Sequence, residues 1–185
     1  MKKIVYLLLT TAAICFCSCG GKSAGDSEAA SNKETLKPML NIETPADPTG
    51  NLEQDAKVLA DYMAVMMPLV EEVTGKLELY ITQYKDNAEF DAVMIATADE
   101  FNKNSGNNPD YRDLTQLGEP TGDAKKDAEV YAVAQLKALA MGNDYTAVLD
   151  KYTEYYAAKG DEETMKFEEA IMKALPEEIK NKIGD

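Results

Sequence analysis

Residues 47–60, DPTGNLEQDAKVLA, and residues 119–132, EPTGDAKKDAEVYA, say nearly the same thing 72 positions apart. Held at that offset, 47–84 and 119–156 align without a gap and agree at eleven of thirty-eight positions. The identities include Pro48/Pro120, Thr49/Thr121, Gly50/Gly122, Asp55/Asp127, Tyr80/Tyr152 and Tyr84/Tyr156. Roughly two or three would arise by chance at ordinary composition. The echo therefore points to an internal duplication, with one helical unit over 47–118 and a second over 119–185, together one domain.

The repeated phrase is a helix-start signal. Proline stops continuation from upstream, glycine permits a sharp turn, and Asn51 or Asp123 can accept from free amides of the first turn. Asp55 and Asp127 add negative charge near the positive helix end. Downstream, Leu52, Ala56, Leu59, Met63 and Met66 recur at three- and four-residue steps, and the pattern continues through Leu69, Val73, Leu77, Tyr80 and Tyr84. Pro68 predicts a break or strong kink near Met67–Leu69. Gly142, followed by Asn143 and Asp144, predicts a turn and a fresh cap in the second copy. Asp86 and Glu89 have capping-box spacing for a helix carrying Phe90, Val93, Met94, Thr97 and Phe101. Gly160 and Asp161 open another, whose buried set includes Phe167, Ile171 and Leu175, and Pro176 ends it. No run alternates Val, Ile and Thr with polar residues as a strand would. The expected fold is all-α, a helical bundle built from two similar helical-hairpin units.

The N-terminus reads differently. Lys2 and Lys3 precede an apolar run, Ile4 to Phe16, of signal-peptide length and too short to span a bilayer comfortably. All three cysteines, Cys15, Cys17 and Cys19, fall here, which excludes a disulfide framework in the body. Cys19 stands between Ser18 and Gly20, the small neighbours a lipoprotein signal peptidase needs. The segment resembles the relaxed lipobox of Bacteroidota lipoproteins, and the whole chain is similar to their small, acidic, helical lipoproteins of unknown function. That resemblance implies a signal peptide over 1–18, diacylglycerol and palmitate on Cys19, and a lipid-anchored place in the cell envelope, at the outer membrane. Residues 19–46 read as the lipidated cysteine and a polar tether. Pro38, Pro45 and Pro48 forbid a helix there, and Leu36, Met39, Leu40 and Ile42 fit an extended arm.

The net charge of −14 becomes −16 once Lys2 and Lys3 leave with the leader. Such an excess excludes nucleic acid as a partner, since phosphates require Lys and Arg. The expected partners are the membrane, through acyl chains, and an envelope protein, peptide or glycan.

Histidine is absent, and with it the commonest general base and transition-metal ligand. Cysteine is absent from the body, so neither metal nor cofactor is expected. Glu71–Glu72, Asp161–Glu163, Glu168–Glu169 and Glu177–Glu178 read as solvated helix faces beside lysines. Asn102, Asn104, Asp110 and Asp113 read as a polar connector. The tyrosines Tyr80, Tyr84, Tyr145, Tyr152, Tyr155 and Tyr156 leave two readings open: core, or the lining of a ligand cleft between the copies. The leading functional expectation is a non-catalytic helical domain that binds a macromolecule or small ligand. The alternatives are a carboxylate-dependent hydrolase and a structural envelope spacer.

Overall fold

The computed structural model describes residues 42–106 and 109–184. Their elements, in order, are helix α1 (Leu52–Gln83), helix α2 (Ala88–Ser105), a 3-10 helix (Arg112–Gln116), and helices α3 (Ala124–Ala157), α4 (Asp161–Ala174) and α5 (Glu177–Gly184). Among the described residues there is no strand, and the fold is all-α. The leader, Cys19 and the tether up to residue 41 lie outside the described residues.

The helix starts follow the punctuation. Asn51 Oδ1 accepts from the Gln54 amide at 3.2 Å, and Asp123 Oδ1 from the Lys126 amide at 3.1 Å. At α2 the cap is Asn87, not Asp86. Its Oδ1 accepts from the Glu89 and Phe90 amides, each at 3.1 Å. Asp86 instead takes φ 63° in the turn after α1, a left-handed conformation that short polar side chains tolerate. At α4 the residue before the helix is Gly160, at φ 109°, and Asp161, Glu162 and Glu163 fill the first turn. Leu175 closes α4 by donating its amide to Ile171 O, and Pro176 separates it from α5.

Two expected breaks, one at Pro68 and one at Gly142, do not occur. Helix α1 runs unbroken through Pro68, and α3 runs unbroken through Gly142, Asn143 and Asp144, so there is neither a turn nor a fresh cap there. An interior proline costs about 3 kcal/mol, and an interior glycine about 1 kcal/mol relative to alanine. Fully burying one large apolar side chain returns about 1.5–3 kcal/mol. Met66, Met67, Leu69 and Val73 are buried around Pro68, and Ala140, Met141, Tyr145 and Val148 around Gly142. Continuity lets these residues keep one face inward, and packing outweighs local preference.

The described chain divides into two compact units. Unit 1 holds 42–72 and 139–184; unit 2 holds 73–138. These are not the sequence copies 47–118 and 119–185. Each long helix begins in one unit and ends in the other, so each unit combines the first half of one helix with the second half of the other.

In unit 1, the first half of α1 runs antiparallel to the second half of α3. Asp55 meets Tyr156, and the rings of Tyr62 and Tyr145 lie 5.8 Å apart. Helix α4 contributes Phe167, stacked on Tyr156 at 4.0 Å and 11°. Helix α5 buries Ile179 and pairs Lys182 with Glu71. The segment before α1 lies along α3, where Tyr152 donates to Ala46 O at 2.9 Å and Lys151 pairs with Asp47 at 3.0 Å.

In unit 2, the second half of α1 runs antiparallel to the first half of α3. Tyr84 meets Asp127, and Tyr80 lies 6.1 Å from Tyr131. Helix α2 contributes Phe90, stacked on Tyr84 at 4.7 Å and 11°. The 3-10 helix buries Leu114 and Thr115, and Leu117 follows them inward. Lys76 Nζ donates to Leu117 O at 2.5 Å, and Lys137 pairs with Asp113 at 2.5 Å.

Candidate functional site: two tyrosine-capped carboxylates

Among the described residues, the buried acidic side chains are Asp55, 2% exposed, and Asp127, 1% exposed. Each sits one turn inside a long helix, facing back to the loop that feeds it. Asp55 Oδ1 accepts from the Thr49 amide at 2.9 Å and the Thr49 hydroxyl at 2.8 Å. Its Oδ2 accepts from the Gly50 amide at 2.8 Å and from the Tyr156 phenol at 2.8 Å. Asp127 repeats the set. Its Oδ2 accepts from the Thr121 amide at 2.7 Å, the Gly122 amide at 3.0 Å and the Tyr84 phenol at 2.5 Å. Its Oδ1 accepts from the Thr121 hydroxyl at 2.8 Å.

The loop geometry explains the glycines. Gly50 and Gly122 have φ of 87° and 93°, which turns their amides onto the carboxylate. An L side chain resists that conformation by about 1–2 kcal/mol. The threonine then holds the turn from both sides: its hydroxyl donates to the carboxylate and accepts from the amide of Asn51 or Asp123.

A carboxylate offers about four lone-pair positions; each aspartate receives four donors, two per oxygen in Asp55 and three on Oδ2 with one on Oδ1 in Asp127. Burial pushes the Asp55 carboxyl up, but the hydrogen bonds from Thr49, Tyr156 and Gly50 outweigh it, so Asp55 ends below the usual carboxylate range. A general acid in glycoside or related hydrolysis needs the opposite shift. Burial, reinforced by the hydrogen bond and negative charge of Asp127, pushes the Tyr84 phenol up to about 12. Burial and Asp55 likewise raise Tyr156. Both phenols stay protonated and donating at neutral pH.

The other tyrosines are placed each within its own unit, Tyr80 in unit 2 and Tyr145, Tyr152 and Tyr155 in unit 1. Tyr80, Tyr145 and Tyr152 are buried. Tyr80 donates to Gly118 O at 3.2 Å, and burial with the Asp127 charge raises its phenol to about 12. Tyr145 differs: its buried hydroxyl has no hydrogen-bond partner among the described residues, and burial with the nearby Tyr62 raises it. Tyr155 is half-buried, with Lys159 Nζ 4.3 Å from its ring centroid and 4.8 Å from that of Tyr156.

The carboxylate runs lie on exposed or half-buried faces. Glu162 and Glu163 pair with Lys166, Glu177 with Lys180, and Glu71 with Lys182. In the connector, Asp110 pairs with Arg112, whose hydrogen bonds hold its carboxyl well below the ordinary range. Among the described residues, no group of three acidic, histidine or cysteine side chains is placed to hold a metal ion.

Reading the sequence identified Asp55 and Asp127 as helix-end charges and missed their larger role as acceptors for distant phenols. The available signal was the repeated Thr-Gly-x4-Asp spacing at Thr49–Asp55 and Thr121–Asp127, paired with Tyr84 and Tyr156 at the same offset. Comparison of the chain with protein-family models, with curated proteins and with solved structures finds no match.

Proposed function

We propose that the protein is a lipid-anchored component of the cell envelope, held at the outer membrane through acyl chains on Cys19, whose helical domain acts by binding rather than by catalysis. The observation that carries this reading is the leader: Lys2–Lys3, a short apolar run, and Ser18-Cys19-Gly20 followed by a polar stretch. Two or more acyl chains give stable membrane attachment, each buried methylene contributing about 0.8 kcal/mol. Among the described residues no helix is long and apolar enough to cross a membrane.

Binding is favoured over hydrolysis by the state of the buried acids. Asp55 and Asp127 are engaged by helix-start amides, threonine hydroxyls and phenols. Freeing either for proton transfer would undo a helix start. Exposed apolar side chains offer contact surface instead: Leu79, Ile81, Ile95 and Val130 in unit 2, and Val65, Leu139 and Met165 in unit 1. The partner is an envelope protein, peptide or glycan.

Metabolic labelling with a fatty-acid analogue, combined with membrane fractionation, tests the anchor. The wild-type chain is expected to carry label and sediment with membranes, and Cys19→Ala to lose both. An unlabelled wild-type chain that still sediments would refute the reading.

A further inference from the structure

The same tertiary hydrogen bonds occur twice, 72 residues apart, and with each copy counted from its entrance residue, as 46–117 and 118–185, each set is closed between the two copies. Asp55, at the start of copy 1, receives Tyr156, near the end of the long helix of copy 2. Asp127, at the start of copy 2, receives Tyr84, near the end of the long helix of copy 1. One turn earlier, Tyr152 donates to Ala46 O at the entrance to copy 1, and Tyr80 to Gly118 O at the entrance to copy 2. The aromatic backing repeats as well, Phe167 on Tyr156 and Phe90 on Tyr84, each stacked at 11°.

A helix-start signal can recur by coincidence, because many helices need one. The phenol contacts cannot be explained that way. They join residues 101 and 43 positions apart in the chain for the carboxylates, and 106 and 38 for the carbonyls. Yet all four obey the one offset at both ends. A single copy has a buried carboxylate and an entrance carbonyl with no phenol of its own to meet them, and two phenols without those acceptors.

We propose that the chain is a covalently joined dimer: two copies of one unit of about seventy residues, each the binding partner of the other through its cap and its Tyr80/Tyr84 or Tyr152/Tyr156 pair. The surface formed by Asp55, Ala46 and the first half of α1 is the docking face for the second half of a neighbouring copy. Asp127, Gly118 and the first half of α3 form the equivalent face. Residue identity has drifted elsewhere, as at Leu59 against Tyr131 and Tyr62 against Ala134. The closing contacts have not.

If the copies are equivalent partners, their order along the chain is immaterial. The test is a full-length variant that keeps 1–45, then places 118–185 before 46–117. A Gly/Ser linker of about ten residues makes the path from Phe167 to Ala46 as long as that from Phe90 to Gly118. It should be a monomer of wild-type helicity, with one cooperative thermal transition within about 10 °C of the wild type. A version with about twenty linker residues controls for reach. A second variant exchanges the nine-residue starts Pro48–Ala56 and Pro120–Ala128 in the native order, and its midpoint should move by less than half the shift caused by Asp55→Ala. The proposal stands only if both hold. Loss of cooperative folding at both linker lengths overturns it, and so does an exchange variant as unstable as Asp55→Ala.

Discussion

The Tyr156 phenol donates to Asp55 Oδ2 at 2.8 Å across 101 residues of sequence, and both side chains are buried. The contact ties the start of one long helix to the end of the other. Its energetic weight comes from charge and burial. A hydrogen bond to a charged group adds about 1.5–3 kcal/mol, and leaving a buried partner unpaired costs about 1–3 kcal/mol, more where that partner is charged.

Asp55→Ala removes a helix start and orphans the Tyr156 hydroxyl together. The expected loss is about 2–5 kcal/mol, from a helix-entry loop deprived of its acceptor, worth about 1–2, and an unpaired phenol, worth about 1–3. Urea unfolding measures it. Tyr156→Phe should cost less, and the double variant Asp55→Ala/Tyr156→Phe should be more stable than the sum of the singles implies. Strict additivity would mean the two side chains do not share an interaction.

Acid should reach the same site. The folded-state pKa of Asp55 is depressed, so its contribution is fully present above the ordinary carboxylate value and is lost as pH falls through the folded value. The thermal midpoint should therefore drop on acidification below about pH 4. Asp55→Ala should flatten that part of the curve, while remaining less stable than the wild type at neutral pH. A wild-type slope preserved in the variant would assign acid sensitivity to other groups.

Gly50 and Gly122 share a left-handed backbone but have different surroundings. Among the described residues a Cβ at Gly122 meets nothing within 4 Å, whereas one at Gly50 lies 2.7 Å from the Tyr155 hydroxyl and 3.3 Å from Lys159 Nζ. Gly122→Ala should cost about 1–2 kcal/mol from the backbone alone. Gly50→Ala should cost more, because Tyr155 must also move from under Lys159. Equal losses in denaturant melts would show that Tyr155 shifts freely.

Gly142 and Gly75 are helical, and a Cβ at either meets nothing within 4 Å among the described residues. Gly142→Ala and Gly75→Ala should each stabilise the protein by about 0.5–1 kcal/mol. Pro68 is exposed within α1, so Pro68→Ala should also stabilise by restoring the amide that the helix lacks. Thermal midpoints that fall in these variants would reveal a constraint on the helix that the contacts do not show.

The buried Tyr145 hydroxyl has no hydrogen-bond partner among the described residues. Tyr145→Phe should therefore be neutral or stabilising, unlike Tyr156→Phe, which strips a bond from Asp55. A loss at Tyr145 as large as that at Tyr156 would place an unseen partner at its oxygen.

By itself the sequence determined the class of the fold and its punctuation. The three- and four-residue recurrence of Leu59, Met63, Met66, Leu77 and Tyr80 has no β alternative, because periodicity is a local property of the chain. The starts at Asn51, Asp123 and Asp161 were legible for the same reason: a cap is decided by a few neighbouring dihedrals. What happens at Pro68 and Gly142 was not. Breaking or continuing there is a contest between a local cost of about 1–3 kcal/mol and the burial of side chains on either side, which is set only once the helices meet. The division into units across both long helices was hidden likewise, since contiguity in sequence does not dictate contiguity in contact. Only the tertiary structure gave Asp55 and Asp127 their partners. A carboxylate near a helix start looks the same in sequence whether it faces water or a phenol 101 residues away, and the fold alone brings that phenol to it.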